Sequence, residues 1–471
     1  MTNNTTTTAK PTYELSTDIC YQALVSKDSR FDGKFYVGVA STGIYCRTVC
    51  TAKTPRRENC TFYPSAAAAE QAGFRPCLRC RPELAPGNSQ IDAVSRLAGA
   101  AAGRIEEGAL TEQSVADLAL DLGVSERHLR RVIQSEFGVS PIELAQTQRL
   151  LLAKRLLTDT NLPIIDVAFA SGFSSLRRFN ALFKERYRLN PNQLRRQRDQ
   201  DAVPETLICE LAYRPPLDWA GLLAFLTQRL LPGVEVVEGN CYLRTVQIKK
   251  QRGWIAVEPA KGKDALRVEL CATLAPVLLQ LLTRVKRLFD LAADPEQIGQ
   301  RLGDLAADRP GLRVPAAFDG WETALQTLCP VGQIWKLVQT LGQPIETPFP
   351  QLTHVTPTAE QVGAAAPQVW DAIAWPDAPK QRIQQLAQAV QAHQIALQPG
   401  ADGEQLASFL RTELKLDEST MQYLAMRILA WPDALPTTDP ATGASIPAAH
   451  RKQSDTWRPW RAYAALHLWK Q

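Results

Sequence analysis

The chain has 471 residues, 45% hydrophobic and 21% charged, with a formal net charge of +5. That balance excludes extended disorder, and at roughly 100–200 residues per domain the length excludes a single core. With no apolar run of about 18 residues and no apolar leader in the Thr/Asn tract of residues 1–10, a cytoplasmic protein without membrane association is expected.

After the tail, residues 11–84 hold four clustered cysteines. Cys46 and Cys50 lie four apart, and Cys77 and Cys80 form a Cys-x-x-Cys pair 27 residues after Cys50. Two such short loops let four thiolates reach one Zn²⁺ at about 2.3 Å, so zinc is the expected cofactor. Cys20, Cys60, Cys209, Cys241, Cys271 and Cys329 have no paired spacing and read as small hydrophobes. Pro82, Pro86 and Gly87 read as a linker.

Residues 88–200 read as nearly continuous helix with breaks at Gly103, Gly123, Gly138 to Pro141, Pro163, Gly172 and Pro191. The segment Asp117-Leu-Ala-Leu-Asp-Leu-Gly-Val-Ser125 precedes a helix with Leu129, Val132, Ile133 and Phe137 on one face. A similar pattern returns 49 residues on, with Val167-Ala-Phe-Ala-Ser-Gly-Phe-Ser174 before Leu176, Phe179, Leu182 and Phe183. A turn glycine followed by a serine at the next helix start is what a helix-turn-helix requires. Residues 121–198 carry 14 basic against 7 acidic side chains, whereas 204–471 carry 26 against 27. A basic helical repeat points to nucleic acid.

From Gly233 to Arg267 the period changes to two, through Tyr242, Arg244, Val246 and Ile248 and again from Trp254 to Val257, so a sheet is expected. From Thr273 onward the pattern is helical.

Three resemblances give these segments a meaning. Gly38 to Cys50, Thr54-Pro-Arg-Arg-Glu-Asn59 and Gly73-Phe-Arg-Pro-Cys-Leu-Arg-Cys80 resemble the zinc domain of the Ada DNA methyl-phosphotriester repair proteins over residues 18–84. That resemblance implies that Cys46 takes a methyl group from a DNA phosphotriester, with Cys46, Cys50, Cys77 and Cys80 on zinc. Arg47, Arg56, Arg57, Arg75, Arg79 and Arg81 become candidate phosphate contacts. Residues 106–198, with Arg177-Arg178-Phe179 and Phe183-Lys184, resemble the DNA-binding domain of AraC-family regulators. The implied recognition helices lie near 126–137 and 175–185, with Arg127, Arg130, Arg131, Arg177 and Arg178 facing DNA.

Residues 204–471 resemble AlkA-type 3-methyladenine DNA glycosylases. The resemblance is carried by Phe289 to Pro295, Arg309 to Pro315, Phe318-Asp-Gly-Trp321, Tyr423-Leu-Ala-Met-Arg427 and the terminal Trp457 to Trp469. It implies Asp439 as the carboxylate that supports cleavage of the glycosidic bond, and Tyr423 and Trp469 as pocket aromatics around a flipped base. The chain departs from the family pattern at the hairpin, where Lys415-Leu-Asp-Glu-Ser-Thr-Met421 replaces a Gly-Ile-Gly-x-Trp-Thr-Ala segment. Pro440 follows Asp439 where a helix start is usual, and Cys329 to Gln333 replaces a Gly-Gln-x-Val-Ser segment.

The expected architecture is multidomain and mainly α: a small zinc-binding α+β domain (11–84), an AraC-type double helix-turn-helix (88–200), an AlkA-like sheet subdomain (204–288) and a helix-hairpin-helix bundle (289–471). Two functional readings stand. One is a methylation-armed transcription activator carrying an active 3-methyladenine glycosylase. The other is a sensor-regulator whose glycosylase-like half is a DNA-binding or structural module. Both imply alkylated and operator double-stranded DNA as partners, together with RNA polymerase, and a monomer.

Overall fold

The structure, a computed structural model, describes residues 16–86, 93–160, 162–195, 205–329, 333–373 and 375–469. The Thr-rich tail and the Gly87 end of the expected linker lie outside them.

The first unit is built on a four-stranded sheet of β1 (Tyr36–Val39), β2 (Ile44–Cys46), β3 (Cys60–Tyr63) and β4 (Arg75–Pro76), in the order β3-β1-β2-β4. Strands β2 and β4 run parallel with Tyr45 opposite Pro76, so Cys46 at the end of β2 and Cys77 just past β4 emerge side by side. The expected linker is in fact anchored. Pro82–Leu84 forms a 3-10 turn, Pro82 is buried, and Glu83 pairs with Lys154 at 2.6 Å with both side chains buried.

Both helix-turn-helix units form as the sequence repeat requires. In the first, Val115–Asp121 is followed by Glu126–Phe137, and in the second Ile164–Ala170 is followed by Leu176–Tyr187. The turn glycines Gly123 and Gly172 adopt φ of +67° and +80°, which costs a side-chain-bearing residue energy. Ser125 and Ser175 accept the N–H groups of His128 and Arg178 and so start the recognition helices. The connecting helix Pro141–Asp159 begins with a reciprocal Ser140–Glu143 capping box and Pro141 in its first turn. Gly103 does not break its helix, which runs Ala93–Glu106; the break falls at Gly108 with φ +92°. One interior glycine costs a helix only about 1 kcal/mol, and tertiary packing overrides it here.

The second sheet is antiparallel, in the order β5-β9-β8-β7-β6, from β5 (Thr206–Ala212), β6 (Glu235–Glu238), β7 (Cys241–Ile248), β8 (Gln251–Pro259) and β9 (Ala265–Cys271). The period-two reading missed β5. β7 is buried on both faces over Tyr242 to Val246, so Arg244 is wholly internal, paired with Glu235 at 3.2 Å and Glu322 at 2.6 Å. One apolar core extends from Phe179 and Phe183 of the second helix-turn-helix through Leu207, Val268 and Leu270 to Tyr423 and Trp469. A cavity of about 900 Å³ opens between the first helix-turn-helix and the C-terminal helices, and neither Cys46 nor Asp439 lines it.

Polar contacts stitch the units together. Arg81 reaches Asp159 at 2.5 Å, Arg155 donates to Glu210 O at 2.7 Å, and Arg287 pairs with Glu107 at 2.7 Å. The densest joint is Glu70, 3% exposed, on the helix Ala66–Gln71. Its carboxyl accepts from Tyr45 Oη at 3.0 Å, Thr147 Oγ1 at 3.1 Å and Tyr187 Oη at 3.5 Å. The neighbour of Cys46 is thereby tied to the connecting helix and to the second recognition helix.

Burial pushes the Glu70 carboxyl up to about 7 despite these donors. A carboxyl raised on folding favours the native state most below its unfolded value and loses that contribution as pH rises through the folded one. At about 1.4 kcal/mol per pH unit, the loss between pH 5.5 and 7 is about 2 kcal/mol. In thermal melts of the zinc-loaded protein, the wild type should therefore lose more stability over that range than Glu70→Gln, whose profile should be flatter.

Candidate functional site

The sulfurs of Cys46, Cys50, Cys77 and Cys80 lie within 4.8 Å of one another. Four soft donors at that spacing fit a tetrahedral Zn²⁺ and no common hard cation. Cys50 and Cys77 are buried, whereas Cys46 and Cys80 are half-exposed. Backbone N–H groups reach three of the sulfurs: Ala52 toward Cys50, Cys80 toward Cys77, and Arg47 toward Cys80 at 3.4 Å. Cys80, the other half-exposed cysteine, thus has its sulfur engaged by the Arg47 N–H.

The candidate arginines separate into two groups. Arg56 and Arg79 are exposed, Arg75 is half-buried, and Arg57 stacks over Tyr21 and Phe62 while reaching Asp18 at 3.5 Å. Arg47 does not face solvent. It is 7% exposed and forms a two-point ion pair with Asp32, with a further bond to Cys80 O at 3.2 Å. Arg81 is likewise engaged, with Glu83 and Asp159. Arg127, Arg130, Arg131, Arg177 and Arg178 are exposed on the two recognition helices. Arg130 is held to Glu126 at 2.6 Å and Arg131 to His128 at 2.9 Å.

In the C-terminal half, Asp439, Tyr423 and Trp469 converge from segments far apart in sequence. Asp439 is 0% exposed, Tyr423 2% and Trp469 1%, and the two rings stand 6.4 Å apart. Asp439 accepts from Ala441 N at 3.0 Å and Thr442 Oγ1 at 2.8 Å in a tight turn that takes the place of the family's helix start. The sequence reading missed the group at the centre. Arg229 ion-pairs with Asp439, donates to Tyr423 Oη at 3.0 Å, and lies 3.6 Å from the Phe225 ring centroid. Arg427 donates to the same hydroxyl at 2.8 Å.

The hairpin between the helices Gly403–Thr412 and Glu418–Ile428 keeps its course without glycine, with Lys415 in the left-handed region at φ +51°. Asp417 caps the second helix, accepting from Thr420 N at 3.0 Å and Thr420 Oγ1 at 2.6 Å. The positive end of that helix is thus occupied by the chain's own carboxylate.

Comparison with known proteins places each segment. The metal binding domain of Ada matches residues 19–83, a helix-turn-helix domain 118–197 and the AlkA N-terminal domain 208–319. A probable bifunctional transcriptional activator/DNA repair enzyme AlkA of Mycobacterium tuberculosis is 35% identical over 96% of this chain and 95% of its own. The chain belongs to this family of bifunctional transcriptional activator/DNA repair enzymes. The DNA-3-methyladenine glycosylase 2 of Escherichia coli K12 is 30% identical over 55% of this chain and 95% of its own. The bifunctional transcriptional activator/DNA repair enzyme Ada of the same organism is 36% identical over 30% of this chain and 38% of its own. This bifunctional protein is accordingly a zinc protein of the alkylation-repair class with helix-turn-helix and glycosylase-fold parts. No described helix is long and apolar enough to cross a membrane.

Removing the Asp417 cap should act in two opposite directions. Asp417→Ala is expected to lower stability by about 1 kcal/mol, while strengthening DNA binding at low salt because a carboxylate leaves the hairpin. Thermal melts and binding titrations at two salt concentrations check both signs.

Proposed function

We propose that residues 11–84 scavenge methyl groups from DNA phosphotriesters through Cys46 and so arm the regulator in 88–200, while 204–288 and 289–471 form a 3-methyladenine glycosylase acting through Asp439. The observation that carries the first part is the four-sulfur cluster in which Cys46 is half-exposed while the other half-exposed cysteine, Cys80, has its sulfur engaged by the Arg47 N–H.

Zinc held by Cys46, Cys50, Cys77 and Cys80 supplies thiolate character at neutral pH. The Cys46 sulfur attacks the methyl carbon of a neutral phosphotriester, an S–C bond forms as the C–O bond breaks, and the phosphodiester leaves as an anion. Cys46 becomes a neutral thioether, and the site loses one negative charge. At about 8 Å and an effective dielectric of ~20–80, that change is worth roughly 0.5–2 kcal/mol per nearby phosphate before salt screening. Arg56, Arg57, Arg75 and Arg79 meet DNA at the zinc site, the Tyr45–Glu70 joint carries the contact to the second recognition helix with Arg177 and Arg178, and Arg127, Arg130 and Arg131 meet DNA from the first. RNA polymerase is the partner that an activator of this kind engages, and the active species is a cytoplasmic monomer. Cys46→Ala should take up no methyl group and lose damage-induced transcription while keeping nonspecific DNA binding. Zinc content is measured alongside, since a ligand is removed, and normal induction by this variant contradicts the proposal.

In the C-terminal half Tyr423 and Trp469 stack a flipped, positively charged purine, and the Asp439 carboxylate stabilises the oxocarbenium character that develops as the base departs. A second reading, a glycosylase-like half without catalysis, draws support from the complete burial of Asp439. Release of 3-methyladenine from alkylated duplex DNA separates the two. The proposal expects release by the wild type that falls at least about a hundredfold in Asp439→Asn at equal melting temperature, whereas wild-type release at background favours the second reading.

A further inference from the structure

Arg229 follows the helix Trp219–Thr227 of the sheet subdomain, yet its guanidinium reaches Asp439 and Tyr423 of the helical half. It is 8% exposed and sits between the Phe225 ring at 3.6 Å and the Asp439 carboxylate, with Tyr423 Oη at 3.0 Å and Phe225 O at 2.6 Å as further acceptors. A flat cation stacked on an aromatic ring and paired with a carboxylate has the chemistry of an N-alkylated purine. The Trp469 ring stands 6.4 Å from that of Tyr423, and its indole N–H is buried with no acceptor among the described residues, a donor left for the edge of a base.

We propose that Arg229 is the resident occupant of the base pocket, a gate that a flipped base must displace from Asp439 before its glycosidic bond can be cleaved; this rests on the glycosylase reading above. With Arg229 in place the carboxylate is closed to any base. A base that brings its own positive charge restores the pairing it breaks. A neutral base leaves Asp439 buried without a cation, which the interior tolerates poorly. A narrow cavity beside Arg229 is lined by Glu235 and Glu322, both already paired with Arg244, so the displaced guanidinium gains no free carboxylate there and its displacement depends on what the incoming base supplies. The gate explains how Asp439 can be wholly buried in a working enzyme, and it makes Arg229 a determinant of specificity as well as of access.

The test compares the full-length wild type with Arg229→Gln and Arg229→Lys in single-turnover release of hypoxanthine, a neutral base, and of 7-methylguanine, a cationic one, from duplex DNA. Arg229→Gln should raise hypoxanthine release by about tenfold or more, and 7-methylguanine release by less, because that base already competes well with the guanidinium. Arg229→Lys, which keeps a cation but loses the flat face stacked on Phe225, should raise hypoxanthine release by less than Arg229→Gln does. Unchanged or reduced hypoxanthine release in Arg229→Gln with an unaltered melting temperature overturns the gate.

A second arm does not depend on turnover. Binding to a duplex with a pyrrolidine abasic-site analogue, a cation without a base, is compared with binding to the neutral tetrahydrofuran analogue. Removing Arg229 should tighten the pyrrolidine complex alone by about tenfold. Equal changes for both duplexes, or none, overturn the proposal. Should the wild type release no base, the glycosylase reading falls, and the pyrrolidine comparison still decides whether Arg229 holds the Asp439 site shut.

Discussion

Four sulfurs held within 4.8 Å of one another are the constraint on which the N-terminal half depends. Thiolates at that separation repel strongly unless a cation lies between them, so the cluster sets the pairing of β2 with β4, the position of Tyr45 and the exposure of Cys46 together. Tyr45 is the link outward. Its hydroxyl reaches Glu70, and Glu70 reaches both Thr147 and Tyr187, so only two side chains separate the residue next to Cys46 from the regulator.

The same device recurs throughout the molecule: buried and half-buried charges paired across units. Glu83 with Lys154 fixes the metal unit to the connecting helix, Glu107 with Arg287 ties the regulator to the C-terminal helices, and Arg229 with Asp439 joins the sheet subdomain to the helical bundle. Breaking the Glu83–Lys154 or the Arg229–Asp439 pair by removing one partner costs about 3–5 kcal/mol, because the other charge stays buried. The pairs therefore specify how the units dock more than they add stability. At Asp439 the pair also involves the carboxylate proposed to meet a cationic base, so the same contact that docks the two parts holds that group.

How much of this was legible in the sequence follows from the range of each interaction. Cysteine spacing and the Gly-Ser turn patterns are local, and the zinc cluster and both helix-turn-helix units could be read from them directly. The sheet was legible only where its sequence alternates; β5 buries Leu207, Cys209 and Leu211 in strict alternation, but apolar Ile208 and Ala212 on its outward face hide that period, and its partner β9 lies across more than half of the subdomain. Glu70, Lys154 and Arg229 were invisible because their partners lie 77, 71 and 210 residues away. Arg47 misled for the same reason, since its place beside Cys46 suggests a phosphate contact and only the fold brings Asp32 to claim its guanidinium.

The account's central claim is that one sulfur of the four is the methyl acceptor. The most direct measurement is mass spectrometry of the zinc-loaded protein after incubation with methylated duplex DNA, intact to count methyl groups and then digested to locate them. The account predicts a single methyl group per chain, on Cys46, with one zinc ion retained. A methyl group on Cys80, the other half-exposed sulfur, or none on any of the four, would contradict it.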